Sequence, residues 1–283
     1  MYSLTPPNRD DWEDFLVMCT RRAPENRSVL SGVSAQVEAA YVDYHRQYQK
    51  PSRLSAISIT KEQSDALKGN FDLFDVGRPF RTLRTQLMAE ARNRKCPMCG
   101  HRDVATLDHF LPKSVYPEYS ALSINLVPVC PYCNNEKGNK LGDAAGRRFI
   151  HAYYDTLPET ELLVADVTVD SSVFVTFRID RPSGFADPLI DNLEYHFKEL
   201  KLGECFESEA FDELTGRAGT FHYQYANNGG EQGLAAMLSV EAVSERRKAG
   251  LNSWRVALYN ALARNRDFCS SGFRLLSRED WDF

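Results

Sequence analysis

The chain has 283 residues, 43% of them hydrophobic, and carries a formal net charge of -5 at pH 7. That balance fits a globular protein with room for more than one core and argues against a generic, uniformly basic nucleic-acid binder. No apolar run reaches the roughly 18 residues of a membrane span, and no charged-then-apolar leader is present, so a soluble, unexported chain is expected.

In chain order, residues 1 to 95 read as mainly helical. Asp10 and Asp11 are placed to cap a helix running to about Arg22. Ser28 to Tyr48 carries Val33, Val37, Ala40, Tyr41 and Tyr44 at helical spacing, an aromatic stripe better suited to a core than to base stacking. Phe80 to Arg94 reads as a helix, and Arg78, Arg81 and Arg84 recur every third residue into its first turn. That stripe is either an ordinary solvated face or a phosphate-binding one.

Two Cys-x-x-Cys pairs follow, Cys96-Pro-Met-Cys99 and Cys130-Pro-Tyr-Cys133. Four thiolates make a closed tetrahedral zinc site, so the expected role is structural Zn2+. A thioredoxin-like redox pair would need a strand and helix context missing here and would leave the second pair unexplained. Cys19, Cys205 and Cys269 have no partner spacing and read as small buried hydrophobes, and His101, redundant beside four thiolates, reads as exposed. A module of this size buries little apolar surface, so zinc is expected to supply much of its folding free energy. Reduced thiolates suit a cytoplasmic location.

Between and just after the pairs lie Asp108-His109, Asn125-Leu126 and Asn134-Asn-Glu-Lys137. Taken singly, each has an ordinary reading: a solvated turn pair, a turn residue, a polar cap at a helix start. Taken together, from Cys96 to about Lys140, they resemble the HNH, or ββα-metal, endonuclease superfamily. The stretch after His109, Phe110 to Pro117, is also similar to HNH effectors of bacterial anti-phage defence systems of the Septu type, which act with an ATPase.

The resemblance implies a hairpin and a helix holding one catalytic Mg2+ or Mn2+. Asp108 and Asn134 are then the metal ligands, His109 the general base, and Asn125 the catalytic-site residue that bonds loop backbone and keeps the imidazole in line. Asn134 is a departure from the commoner histidine, and its neutral carbonyl favours Mg2+ or Mn2+ over a tightly held catalytic zinc. Lys113, Lys137, Lys140, Arg81 and Arg84 are the expected nucleic-acid contacts. Residues 78 to 148 hold 12 Lys and Arg against 6 Asp and Glu, a local excess suited to a phosphate backbone.

After the motif, 161 to 179 alternates apolar and polar residues about Asp170-Ser-Ser172, reading as a hairpin. Asp187-Pro188 starts a helix to about Leu202, Asn227-Asn-Gly-Gly230 marks a loop, and 231 to 266 reads as one or two helices broken near Gly250.

The expected fold class is α+β, mainly helical. A small zinc-stabilised ββα-metal module (78–148) is inserted between a helical segment (1–77) and a segment with a further β-hairpin and helices (149–283). The function that follows is phosphodiester hydrolysis, DNA first and RNA, including tRNA, second. The resemblance to defence effectors adds an ATPase partner or an oligomeric complex. A zinc-bound nucleic-acid or protein interaction module without catalysis is the reading from a different class.

Overall fold

A computed structural model describes residues 1–47, 54–182 and 188–277. They form two compact units, Ser3–Thr156 on one side and Met1–Tyr2 with Leu157–Phe283 on the other. The segments expected at 1–77 and 78–148 thus share one unit.

The first unit opens with α1 (Asp11–Thr20), whose N-cap Asp10 accepts a hydrogen bond from the Glu13 amide. Next come α2 (Pro24–Ser31) and α3 (Ser34–Gln47). The single helix expected from Ser28 is therefore two. Pro24 sets the first start, Gly32 is a weak helix former at the break, and the Ser34 hydroxyl bonds the Ser31 carbonyl, competing with helical pairing. Tyr48 lies outside the described residues.

Helix α4 (Lys61–Gly69) starts at a capping box in which Thr60 and Gln63 satisfy one another's backbone N–H groups. A 3-10 turn (Asn70–Phe74) leads to α5 (Arg81–Ala89). The helix expected from Phe80 to Arg94 is shorter than that: Arg78 precedes it, and the chain reaches the first cysteine through a 3-10 turn at Arg92–Arg94, where Asn93 and Arg94 take positive φ.

The module proper is β1 (Thr106–His109), β2 (Leu126–Val129) and α6 (Pro131–Lys137), with the strands antiparallel and Asp108 opposite Val127. Both strands are almost wholly buried, because α5 packs on the hairpin from one side and α6 on β1. One core joins Met18, Leu73, Phe74, Phe80, Leu83 and Leu87 from the preceding helices to Leu107 and Leu126 of the strands. Burial of each such side chain contributes about 1.5–3 kcal/mol, which a module of about 45 residues could not gather alone.

The second unit contains β3 (Leu163–Val169) and β4 (Val173–Ile179), paired in register from Leu163 with Ile179 to Val169 with Val173 about the expected turn. Among the described residues the helices that follow are α7 (Pro188–Glu199), α8 (Leu202–Gly216), α9 (Ala218–Asn227), α10 (Gly230–Ala249), α11 (Trp254–Arg264) and α12 (Arg266–Ser270). Asp187, the expected cap of α7, lies outside the described residues. Gly250, at φ +89, ends α10, a backbone conformation in which glycine has no Cβ penalty. The aromatic rings of Phe177, Phe206 and Trp254 pack where α8 and α11 cover the hairpin. Among the described residues no helix is long and apolar enough to cross a membrane.

Candidate functional site

The four cysteines of the two knuckles meet. Cys96, Cys99, Cys130 and Cys133 are buried, and their sulfurs all lie within 4.8 Å of one another. A tetrahedron with sulfurs about 2.3 Å from zinc has edges of about 3.8 Å, so the cluster fits a Zn2+ ion with little adjustment. Gly100, at φ +69, closes the first turn by donating to the Cys96 carbonyl. In the second, Cys130 is the N-cap of α6 and its sulfur accepts from the Cys133 amide, so helix-terminal N–H dipoles favour a thiolate there. Burial pushes the Cys96 thiol up, whereas sulfur hydrogen bonds to Cys130, Cys133 and Cys96 hold Cys99 well below the usual thiol range. Cys205 and Cys269 are buried as expected, while Cys19 and His101 are half-buried.

At the end of β1, Asp108 and His109 are each 8% exposed. His109 Nε2 lies 2.9 Å from the Ser120 carbonyl, and a carbonyl only accepts, so Nε2 carries the proton and Nδ1 the lone pair. The ring lies against Phe71, with centroids 4.6 Å apart. Burial pushes its pKa down to about 4, so the imidazole is neutral at pH 7. Asp108 is raised by burial, opposed by the nearby Lys137 ammonium.

Lys137 corrects an expectation. Its side chain is 1% exposed, with Nζ 3.0 Å from Asp108 Oδ2 and 2.7 Å from the His109 carbonyl. The residue falls on the inner face of α6, one turn beyond Cys133, so the ammonium is turned into the module and not toward a phosphate backbone. The other expected contacts lie at the surface or half-buried: Arg81 and Lys140 exposed, Arg84 and Lys113 partly so. Lys113 Nζ rests 4.6 Å from the centre of the Phe71 ring, close to His109.

Asn125 is completely buried and saturated. Its Oδ1 accepts from the Leu111 amide and the Tyr44 hydroxyl, and its Nδ2 donates to the Leu111 and Tyr119 carbonyls. It thereby ties both ends of the 110–120 loop that carries Ser120. Asn134 is half-buried on α6, and its side chain makes no hydrogen bond among the described residues. Asp108 and Asn134 thus sit on elements that pack together and offer a carboxylate and an amide oxygen, hard donors of the kind Mg2+ or Mn2+ takes. The Lys137 ammonium beside Asp108 favours the charged carboxylate against the effect of its burial.

Three participants escaped the sequence: Phe71 over the His109 ring, Ser120 as its acceptor, and His151, bonded to Tyr44. Tyr44 reads as a core aromatic in its own helical context, and Phe71, Ser120 and His151 belong to no motif.

Residues 96–140 match the family model described as HNH endonuclease, and the four-cysteine cluster lies within that segment. The chain is 29% identical over 170 residues to Protein ea31 of Escherichia phage lambda, a match covering 59% of this chain. The match spans 57% of that phage protein's length. No solved structure matches the chain.

Proposed function

We propose that this protein is a metal-dependent endonuclease that hydrolyses phosphodiester bonds, with DNA as its first substrate and His109 as its general base. The observation that carries the reading is the 2.9 Å approach of His109 Nε2 to the Ser120 carbonyl, which assigns the tautomer. With Nε2–H held by the Ser120 carbonyl, the Nδ1 lone pair is available, and burial keeps the ring neutral at working pH. Nδ1 can therefore take a proton from a water molecule attacking the phosphorus, a step in which a positioned base contributes roughly a hundredfold to ten-thousandfold.

Asp108 and Asn134 would hold the divalent cation, which supplies Lewis acidity toward the phosphate oxygens and the leaving oxygen. Asn125 keeps the loop that orients the imidazole. Arg81, Arg84, Lys113 and Lys140 would meet the backbone phosphates, and the half-exposed Phe71 edge beside Lys113 borders the same place. Structural zinc in the four-cysteine cluster would hold β1, β2 and α6 together. Reduced thiolates support a cytoplasmic location.

RNA stays the alternative substrate, since in-line attack by water neither needs nor excludes a 2′-hydroxyl. A role as effector of an anti-phage system, with an ATPase partner, has its support in the wording of Phe110 to Pro117. One observation favours a non-catalytic binding module: the Asp108 carboxylate already has a cationic partner in Lys137. Incubating zinc-loaded protein with plasmid, single-stranded DNA and total RNA, with Mg2+, with Mn2+ and with chelator, separates these readings. Metal-dependent cleavage that His109→Ala abolishes supports the nuclease. Tight binding without cleavage under every condition supports the module.

A further inference from the structure

A chain of hydrogen bonds with a single direction runs through the interior of the first unit. The Tyr153 amide donates to His151 Nδ1 at 3.2 Å, so that nitrogen holds the lone pair and Nε2 holds the proton. His151 Nε2 is 3.0 Å from the Tyr44 hydroxyl oxygen, and the ring therefore donates to it. The Tyr44 hydroxyl proton is left for Asn125 Oδ1, also 3.0 Å away. An oxygen that receives this proton together with the Leu111 N–H cannot exchange places with the amide nitrogen, so the Asn125 amide is held from outside its own loop as well as from within it.

The consequence reaches His109. Asn125 Nδ2 donates to the Tyr119 carbonyl, and the next carbonyl along the chain, Ser120, receives His109 Nε2–H. His151 also packs against Phe110, the neighbour of His109, with ring centroids 4.1 Å apart. Tyr44 and His151 are both completely buried, and neither belongs to the cysteine cluster.

We infer that Tyr44 and His151 are positioning residues for His109: their directed hydrogen bonds join those of the loop backbone in fixing the Asn125 amide, and through the 110–120 loop they help hold the imidazole in one tautomer and one orientation. Both lie outside residues 96–140, so segments before and after the HNH domain complete its site. The inference rests on the reading of His109 as general base.

The test uses the full zinc-loaded chain with Tyr44→Phe, which removes one hydroxyl. Two readouts are needed: single-turnover cleavage of plasmid with Mn2+, and 15N shifts of the His109 ring in histidine-labelled protein. The cleavage rate should fall about tenfold to a hundredfold, the loss that follows small misplacement of a catalytic group, with zinc content and DNA affinity unchanged. The His109 shifts should move from a single Nε2–H tautomer toward a mixture of two. Wild-type cleavage together with an undisturbed tautomer would overturn the inference. If the wild type cleaves no nucleic acid, the base assignment fails on its own, and the 15N pattern still decides: mixed tautomers in the variant support positioning, a single one overturns it. His151→Phe, which removes the ring nitrogens at similar shape, replaces Tyr44→Phe in both readouts should that variant not fold.

Discussion

Lys137 and Asp108 form a buried ion pair, 3.0 Å between Nζ and Oδ2, at the junction of α6 and β1. The same ammonium donates to the His109 carbonyl at 2.7 Å, so a single side chain on the helix touches both residues of the Asp-His pair. Lys137→Ala should therefore act mainly on stability, leaving Asp108 buried and unpaired at a cost of about 3–5 kcal/mol. Urea denaturation reads this directly. A variant that unfolds like the wild type but binds nucleic acid with a weaker salt dependence would return Lys137 to the phosphate-binding surface.

The surface cations should behave in the opposite way. Arg81→Ala and Arg84→Ala remove side chains at the start of α5 that have no hydrogen-bond or ion-pair partner among the described residues. Each should leave stability within about half a kcal/mol and reduce the slope of log affinity against log salt, by about 0.9 for each phosphate that the arginine neutralises. Filter binding or anisotropy at several salt concentrations measures it, and unchanged slopes in both variants would move the nucleic-acid face away from α5.

Zinc removal should unfold the module, because the cluster joins the turn before β1 to the N-terminus of α6. Metal analysis is expected to find about one zinc per chain. Cys96→Ser and Cys130→Ser should lose it together with solubility. Wild-type protein that is folded, monodisperse and free of metal is the result that would contradict a structural zinc site.

The buried histidines predict a loss of stability on acidification. His151 is pushed down to about 3, by burial first, with Asp155 raising it and Arg148 lowering it, and His109 is pushed down to about 4. An unfolded histidine takes up its proton near pH 6.5, so between there and about pH 4 the unfolded chain binds more protons than the folded one. Stability should thus be highest above about pH 6.5 and fall by a few kcal/mol as the pH drops toward about 4. Asp108, raised by burial, works against this over the carboxylate range. Thermal melts from about pH 7.5 to about pH 4.5 follow the change, and His151→Phe should flatten the slope. A slope unaltered in that variant would place the acid sensitivity elsewhere.

The cysteine spacing by itself determined the four-sulfur cluster, since two Cys-x-x-Cys turns that meet present four thiols to one centre. Alternation about Asp170 determined the β3–β4 hairpin, and Gly250 the end of α10, because period and backbone freedom are local properties of the chain. The order of Asp108, His109, Asn125 and Asn134 marked them in the sequence as candidates for one site. The break between α2 and α3 was not, for it depends on a weak former and a side-chain hydrogen bond inside an otherwise helical pattern.

Tertiary structure alone decided the rest. Lys137 reads as one more surface cation until α6 docks on β1 and turns it toward Asp108. Tyr44 and His151, 107 positions apart, come within 3.0 Å of one another only when the helices before the module and the segment after it close on the same loop. Sequence spacing encodes which side chains share a turn or a strand. Which of them share a proton depends on packing between distant segments, and that is set by the burial of one common core.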